Sequence, residues 1–258
     1  MLLAKCLAEN LPGVETAVHL HGWPRAPGTL EGAAGAVLFT NGGVEHPALG
    51  HVDDIDAIMK QGAGLAVLHW GLDAGPALRR QFLELLGGYY DPEWSVNPSW
   101  TARFSNMPKH PVTRGVRPFA IFDEWYYHIR FRDDMAGVTP LLSAVPPDET
   151  RERPFGPHSG NPAVRARKGM TEHVAWVYQR PGGGRGFGFS GGHFHWAWGN
   201  DDYRKVVLNG IAWVAGIEAP EDGVHSRTPS YEDLLDHLDE PVPEGFTRED
   251  AERAILPR

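Results

Sequence analysis

The stretch GLAVLHWG, residues 64–71, decides the fold class. It begins with a short apolar run after a glycine, which is typical of a strand buried on both faces of a sheet. A helical pattern, PALRRQFLELLGG (76–88), follows and opens at Pro76, a residue favoured in the first turn of a helix. A strand followed directly by a helix favours a βαβ unit with a right-handed crossover.

The same alternation extends toward the N-terminus. MLLAKCLAENLPG (1–13) has apolar residues at helical spacing and predicts a helix, whereas VETAVHLHG (14–22) and AAGAVLFTNGG (33–43) predict short strands. HPALGHVDDIDAIMKQG (46–62) places apolar residues three and four apart and ends in a glycine, which predicts a second helix. These elements predict an α/β domain built on parallel strands.

The second half departs from this alternation. Strands without intervening helices are predicted for SWTARF (99–104), FAIFDEWYYHIRF (119–131) and TPLLSAVPP (139–147). EHVAWVYQRPGGGRGFGFSGG (172–192) predicts a hairpin around its PGGG turn, and NDDYRKVVLNGIAWVAG (200–216) predicts a helix with Asn200 as its N-cap.

The composition changes near residue 219, where the chain becomes acidic and rich in proline. Residues 1–218 are therefore predicted to form one α/β domain, and residues 219–258 a tail that wraps the surface. Two short helical patterns occur in this tail, SYEDLLDHLD and TREDAERAIL.

Charge and cysteine content narrow the class of protein. The 258 residues carry a formal net charge of −9 at pH 7, which disfavours nucleic acid as a partner. No apolar run reaches membrane-spanning length, so we expect a soluble protein, either cytoplasmic or exported. With Cys6 as its single cysteine, the chain can form neither an internal disulfide nor a Cys-rich zinc site. The expected partner is a small molecule, and the sequence leaves open whether the chain forms a homo-oligomer.

His69 is the first candidate for chemistry. It stands near the C-terminal end of the strand in GLAVLHWG, directly before a helix, where α/β folds bind ligands. The structural alternative is a hydrogen-bonded histidine at a strand end. Trp70 beside it offers an aromatic face that suits a sugar ring.

FDEWYYHIRF, residues 122–131, is the second candidate. If it is extended, one face carries Glu124, Tyr126, His128 and Arg130. Such a face can simply be solvated, since antiparallel sheets often expose one side to water. An acid beside a tyrosine and a histidine also provides the groups that acid/base catalysis needs.

GGHFHWAWGN, residues 191–200, is the third candidate. In an extended segment His193 and His195 project to the same side, so both could bind one divalent metal ion. Such a site needs a third N or O ligand, for which His69 and Glu124 are the candidates. The alternative is a polar interruption in a packed core.

The fourth candidate is the Pro- and Gly-rich stretch 146–169. A loop of this length in a compact domain is usually a lid, a binding loop or disordered. His158 and Asn161 could hydrogen-bond a polyol, whereas the alternative is a plain surface connection.

Several of these motifs together resemble the ThuA-like (trehalose utilisation) family of the class I glutamine-amidotransferase-like superfamily. They are GLAVLHWG, HPVTRGV, FDEWYY and EHVAWVYQRPGGGRGFGFSGGH, followed by YRKVVLNGIAWVAG. The resemblance covers residues 1–217 and implies a flavodoxin-like three-layer sandwich with a mostly parallel sheet. Doubly wound domains begin with a strand, whereas this chain begins at the helix that should follow, so we expect the first strand to be absent from it.

The resemblance also bears on the site. Amidotransferases of the superfamily carry a nucleophilic cysteine where this sequence has His69, and an acid where it has His195. Because that cysteine is missing, we expect no glutaminase activity. The pocket would be lined by His69, Glu124 and His193, which are the expected catalytic residues.

ThuA-like proteins are associated with the use of trehalose and with the processing of 3-keto-glycosides. The resemblance implies proton abstraction next to a carbonyl, leading to isomerisation or to elimination and hydrolysis of the glycosidic bond. His69 or His193 would be the base, Glu124 would orient or donate, and His195 or a metal ion would polarise the keto oxygen. The expected substrate-binding residues are Trp70, Tyr126, His128, His158, Asn161 and His195. A non-catalytic sugar-binding module and a metal-dependent hydrolase are the alternatives.

Overall fold

The computed structural model describes residues 1–26, 28–236, 238 and 241–254. The strands are β1 Gly35–Phe39, β2 Gly64–Leu68, β3 Gly88–Tyr89, β4 Ser99–Phe104, β5 Phe119–Glu124, β6 Arg130–Phe131, β7 Val138–Ala144, β8 Glu172–Gln179 and β9 Arg185–Phe189. The helices are α1 Leu2–Asn10, α2 Val52–Lys60, α3 Gly75–Leu85, α4 Asp148–Arg151, α5 Pro162–Arg165, α6 Asp201–Val214, α7 Tyr231–Leu235 and α8 Arg248–Ala254.

Five strands form the central sheet in the order β1-β2-β9-β8-β7. β1, β2 and β9 run parallel, whereas β9 to β8 and β8 to β7 are antiparallel pairings. The α/β class is confirmed, but the expected mostly parallel sheet is not, because the sheet is mixed. For β8 and β9 the physical reason is the tight PGGG turn, which can only join antiparallel strands. Flavodoxin-like layering stays a prediction.

The inner strand β2 has apolar clusters on both of its faces. Ala66 and Leu68 belong to the cluster that includes α1 and α6, whereas Leu65 and Val67 belong to the cluster formed with α2 and α3. Every residue of β2 is buried, as its continuous apolar sequence predicts. The C-terminal end of β2, which directly precedes His69, is therefore packed on both faces of the sheet.

Two predicted strands differ in the structure. Residues 14–22 form no strand, and Val18 and Leu20 in this segment are exposed. An alternating pattern becomes a strand only when a neighbouring strand accepts its hydrogen bonds, and the segment pairs with none of the described strands. The second difference lies in FDEWYYHIRF.

FDEWYYHIRF is not one extended strand. β5 ends at Glu124, β6 begins at Arg130, and His128 between them has a left-handed φ of 57°. The predicted common face of Glu124, Tyr126, His128 and Arg130 is therefore wrong. Burial explains the bend, since the intervening aromatic residues Trp125, Tyr126 and Tyr127 all enter the core and are drawn into two different apolar clusters.

The remaining predicted elements form. The β8–β9 hairpin and α6 are present, and the Asn200 side chain accepts a hydrogen bond from the Tyr203 amide as an N-cap. α7 and α8 of the tail contact the 3-10 turn His195–Gly199, where Trp196 stacks on Tyr231. Within the described ranges, no helix is long and apolar enough to cross a membrane.

Candidate functional site

Three chain segments bring the polar candidates together at one edge of the structure. His69 follows β2, His193 lies in the loop after β9, and Glu124 is the last residue of β5. β2 and β9 are parallel neighbours, so their C-terminal ends meet at the same edge. His69 itself has a left-handed φ of 51°, an uncommon conformation for a non-glycine residue that is typical of functional turns.

The hydrogen bonds of His69 define its tautomer. Nδ1 lies 3.0 Å from the carbonyl oxygen of Ser190, which can only accept, so Nδ1 carries the proton. Nε2 therefore presents a lone pair to the Tyr126 hydroxyl at 3.2 Å, which is the donor of that bond. Burial lowers the pKa of His69, so the ring is neutral near pH 7.

The surroundings of His193 favour its charged form, whereas those of His69 disfavour it. Its Nδ1 lies 3.1 Å from Oε2 of Glu124, and the ring is half-exposed. The hydrogen bond from His193 to Glu124 raises the pKa of the imidazole, and the charges of Glu124 and Asp123 add to this effect. The protonated form of His193 is therefore favoured.

Glu124 links the two histidines. Its Oε2 also lies 3.5 Å from Nε2 of His69, and the two imidazole rings meet edge to face with centroids 5.4 Å apart. Groups whose environments displace their pKa values in opposite directions are suited to act as a base and an acid in one reaction. This arrangement places a neutral histidine, a histidine with a raised pKa and a glutamate side chain within one site.

The same three side chains could hold a metal ion. One ligand atom each from His69, Glu124 and His193 lies within 4.8 Å of the others. Two imidazole nitrogens and a carboxylate oxygen are a ligand set that Zn²⁺ accepts, with a further position left for water or substrate.

His195 does not join this group. It begins a 3-10 turn instead of continuing an extended segment, and its Nε2 contacts the Leu234 carbonyl oxygen in the tail at 2.8 Å. The predicted projection of His193 and His195 to one side is therefore wrong, because the turn redirects the second ring.

The other predicted binding residues separate into two groups. Trp70 is exposed directly after His69, and Tyr126 contacts His69. Tyr90 lies between the site and His158, with its ring 4.8 Å from that of Tyr126 and its hydroxyl 2.9 Å from Nδ1 of His158. His158 is thus connected to the site through two tyrosines.

His128 and Asn161 lie in a different environment. Both contact the Trp94 carbonyl oxygen, through Nδ1 of His128 at 3.0 Å and Nδ2 of Asn161 at 2.9 Å. The Asn161 side chain also caps α5. The structure does not bring these two side chains to His69.

Asp123 is a polar residue of the site that sequence reasoning missed. The predicted alternation placed it on the face opposite Glu124, away from the polar groups. In the structure its carboxylate is buried and accepts hydrogen bonds from the loop that carries His193. An ionisable residue among the apolar residues of a strand was the available signal, since a buried charge requires specific partners.

A cavity of about 990 Å³ lies elsewhere, lined by residues of segments 105–118 and 218–221. It adjoins the start of β5, whereas Glu124 ends that strand, roughly 17 Å away at the usual rise of an extended chain. The cavity is therefore separate from the histidine site.

Comparison with known proteins agrees with this architecture. A model of the ThuA family, described as trehalose utilisation, matches residues 33–214. The structure resembles the crystal structure of a ThuA-like protein from Parabacteroides merdae with a TM-score of 0.56 and 15% identity, over 88% of this chain and 86% of that one. A ThuA-like protein from Bacteroides uniformis has a TM-score of 0.48 and 17% identity, over 70% and 69% of the two chains.

No curated protein sequence matches the chain significantly. The family match nevertheless spans more than half of the residues, including β2 with His69, β5 with Glu124 and the loop with His193. The protein therefore belongs to the ThuA (trehalose utilisation) family.

Proposed function

We propose that this protein processes a sugar, either a 3-keto-glycoside or a disaccharide, by general acid/base catalysis. Membership of the trehalose utilisation family suggests a role in carbohydrate metabolism. The observation that carries the proposed chemistry is the pair His69 and His193, with pKa values displaced in opposite directions beside Glu124. Glutaminase activity is not part of the proposal, because the only cysteine, Cys6, is buried in α1.

For a 3-keto-glycoside, His69 is the base in this proposal. Its Nε2 lone pair accepts the proton from the carbon next to the substrate carbonyl, and the electron pair of that C–H bond forms a carbon–carbon double bond. The glycosidic C–O bond breaks at the neighbouring carbon, and its oxygen leaves with the electron pair. His193 donates its proton to that oxygen, while Glu124 holds the imidazole in place. Addition of water to the double bond then completes hydrolysis.

Aromatic groups beside the histidines support a sugar as the substrate. Trp70, the residue after His69 in the chain, is exposed, and the Tyr126 hydroxyl contacts His69. Indole faces stack on the C–H faces of sugars, while hydroxyl groups bond to theirs. We assign substrate contacts to Trp70 and Tyr126, and to His158 on the side of Tyr90.

The experiment that tests the proposal is turnover of a panel of glycosides and 3-keto-glycosides by the purified protein. We expect His69→Gln and His193→Gln each to lower kcat about a hundredfold or more, since positioned acids and bases typically contribute that factor. His225→Gln is the matched control, because His225 pairs with Asp222 at 2.8 Å on an exposed part of the surface. Full activity of His193→Gln would remove His193 from the mechanism, and sugar binding without turnover would identify a binding module.

A metal-dependent hydrolase is the second candidate, and the observation that favours it is the convergence of three ligand atoms within 4.8 Å. In that case the ion would activate a water molecule and polarise the substrate oxygen. Zinc binding by calorimetry and turnover before and after chelation distinguish the candidates. Turnover that is unchanged by chelation favours acid/base catalysis, whereas turnover that requires zinc favours the hydrolase.

A further inference from the structure

The side chain of Asp123 is fully buried at the end of β5 and is surrounded by hydrogen-bond donors. Oδ1 accepts from the amides of Glu124 at 2.8 Å, His193 at 3.1 Å and Phe194 at 3.3 Å. Oδ2 accepts from the Gly192 amide at 2.8 Å and from the Tyr203 hydroxyl. Three consecutive amides of one loop therefore converge on a single carboxylate.

Within the described residues, no lysine or arginine forms an ion pair with Asp123. A buried carboxylate without a counter-charge is costly unless donors replace its hydration. Consecutive main-chain amides form an anion-binding concavity of this kind, and here the anion belongs to the protein itself. If the loop moved away, the buried carboxylate of Asp123 would lose three of its donors, so these bonds favour the observed loop conformation.

Glycines permit the close approach of this loop. A Cβ atom at Gly191 would lie 2.7 Å from the Tyr203 hydroxyl and 2.8 Å from the Trp125 ring. Gly192 has a φ of 119°, which side chains rarely allow. The conformation that presents three amides to Asp123 therefore depends on the glycine pair before His193.

Two adjacent residues of β5 hold His193, one at its main-chain amide and the other at its imidazole ring. Asp123 accepts from the main-chain amide of His193 at 3.1 Å, and Glu124 contacts its Nδ1 at 3.1 Å. Neighbouring residues of a strand project to opposite faces, so one strand can hold the backbone through one side chain and the imidazole through the next. Displacement of the amide would move the imidazole relative to Glu124.

We propose that Asp123 is the positioning residue of this site, which holds the loop 192–194 so that the His193 imidazole stays on Glu124. The inference rests on the proposed function, in which His193 is the acid. Asp123 acts through His193 and has no substrate contact. The charged and titratable groups around His193 in this arrangement are Asp123 and Glu124 from β5 and His69 after β2.

The test uses the full-length protein without substrate, so its result does not depend on turnover. Asp123→Asn keeps the shape of the side chain but removes the charge. We expect hydrogen exchange of the amides of residues 192–194 to rise about tenfold or more, as for the loss of bonds to a charged group. Exchange of the amides within β2 and β9 should stay unchanged, which distinguishes release of the loop from a general loss of stability.

The control is Asp91→Asn, which removes another buried carboxylate, one that is paired with Arg79 and Arg130. It should leave hydrogen exchange at 192–194 unchanged. A folded Asp123→Asn protein with normal exchange at 192–194 would overturn the proposal. If that variant does not fold, Tyr203→Phe removes one donor and keeps the charge. Faster exchange at 192–194 in Tyr203→Phe supports the proposal, and unchanged exchange there overturns it.

Discussion

The imidazole rings of His69 and His193 meet edge to face with centroids 5.4 Å apart, yet their pKa values are displaced in opposite directions. The physical reason is their surroundings. His69 is buried against the sheet, where desolvation disfavours the charged form. His193 is half-exposed and hydrogen-bonded to a carboxylate, which favours it.

The first prediction concerns the pH dependence of kcat/KM. We expect a bell-shaped profile, because the base His69 must be neutral and the acid His193 must be protonated. The rising limb should lie below the ordinary histidine pKa of 6.5, and the falling limb above it. Glu124→Gln should move the falling limb to lower pH, since it removes the main cause of the raised pKa. A falling limb that stays in place in Glu124→Gln would contradict the assignment of His193.

Trp70 provides the second prediction. The side chain is 42% exposed, so Trp70→Ala should change the free energy of unfolding little. If the indole stacks on the sugar, KM should rise about threefold to tenfold, in line with the usual worth of an aromatic contact. The control is Met170→Ala, which removes another exposed apolar side chain. An unchanged KM for Trp70→Ala would remove the indole from the binding site.

Gly42 provides the third prediction. A Cβ atom at this position would lie 2.2 Å from the Trp70 carbonyl oxygen, so Gly42→Ala must displace the turn that carries His69. Overpacking of this kind typically costs about 1–3 kcal/mol, and activity should fall with it. Gly182→Ala is the matched control, since a Cβ there meets nothing within 4 Å. Urea unfolding measures both, and equal stability of the two variants would contradict the prediction.

The fourth prediction concerns stability at acid pH. Burial lowers the pKa of five histidines, which are His46, His69, His110, His128 and His173. Each contributes stability that is complete above the ordinary pKa of 6.5 and is lost as the pH falls through its folded-state pKa. His193 contributes in the opposite sense, because its pKa is raised. We expect the free energy of unfolding to decrease as the pH falls below about 6.5.

His46 offers a direct check of this dependence of the free energy of unfolding on pH. Its Nε2 donates to the Gly71 carbonyl oxygen at 3.1 Å, and its Nδ1 accepts from the Ala48 amide, which only the neutral ring can do. His46→Gln should therefore reduce the dependence of unfolding free energy on pH below 6.5. An unchanged slope would show that His46 is not among the groups responsible.

Much of the architecture could be predicted from local patterns. The continuous apolar run of β2, the PGGG turn of the hairpin and the Asn200 cap of α6 each act within a few residues, so each is visible in the sequence. The segment 14–22 was predicted wrongly, because a strand depends on a partner that is distant in sequence.

The site could be predicted only in part. His69, Glu124 and His193 were identified from their places beside predicted strands, and the structure brings them together. The sequence could not separate the role of His195 from that of His193, because a His-x-His pattern fits both a shared site and two different environments. Only the structure shows that His195 contacts the Leu234 carbonyl oxygen. His128 and Asn161 were likewise grouped with the site, although both bond to the carbonyl oxygen of Trp94.

The sequence by itself determined the α/β class, the strand that directly precedes His69 and the absence of a cysteine nucleophile, because these depend on residue type and local periodicity. Only the tertiary structure decided the mixed sheet, the separation of the two histidine pKa values and the burial of Asp123 under the loop of His193. Burial and charge proximity are properties of contacts between segments far apart in the chain. The sequence pattern of a single segment therefore cannot predict burial or charge proximity.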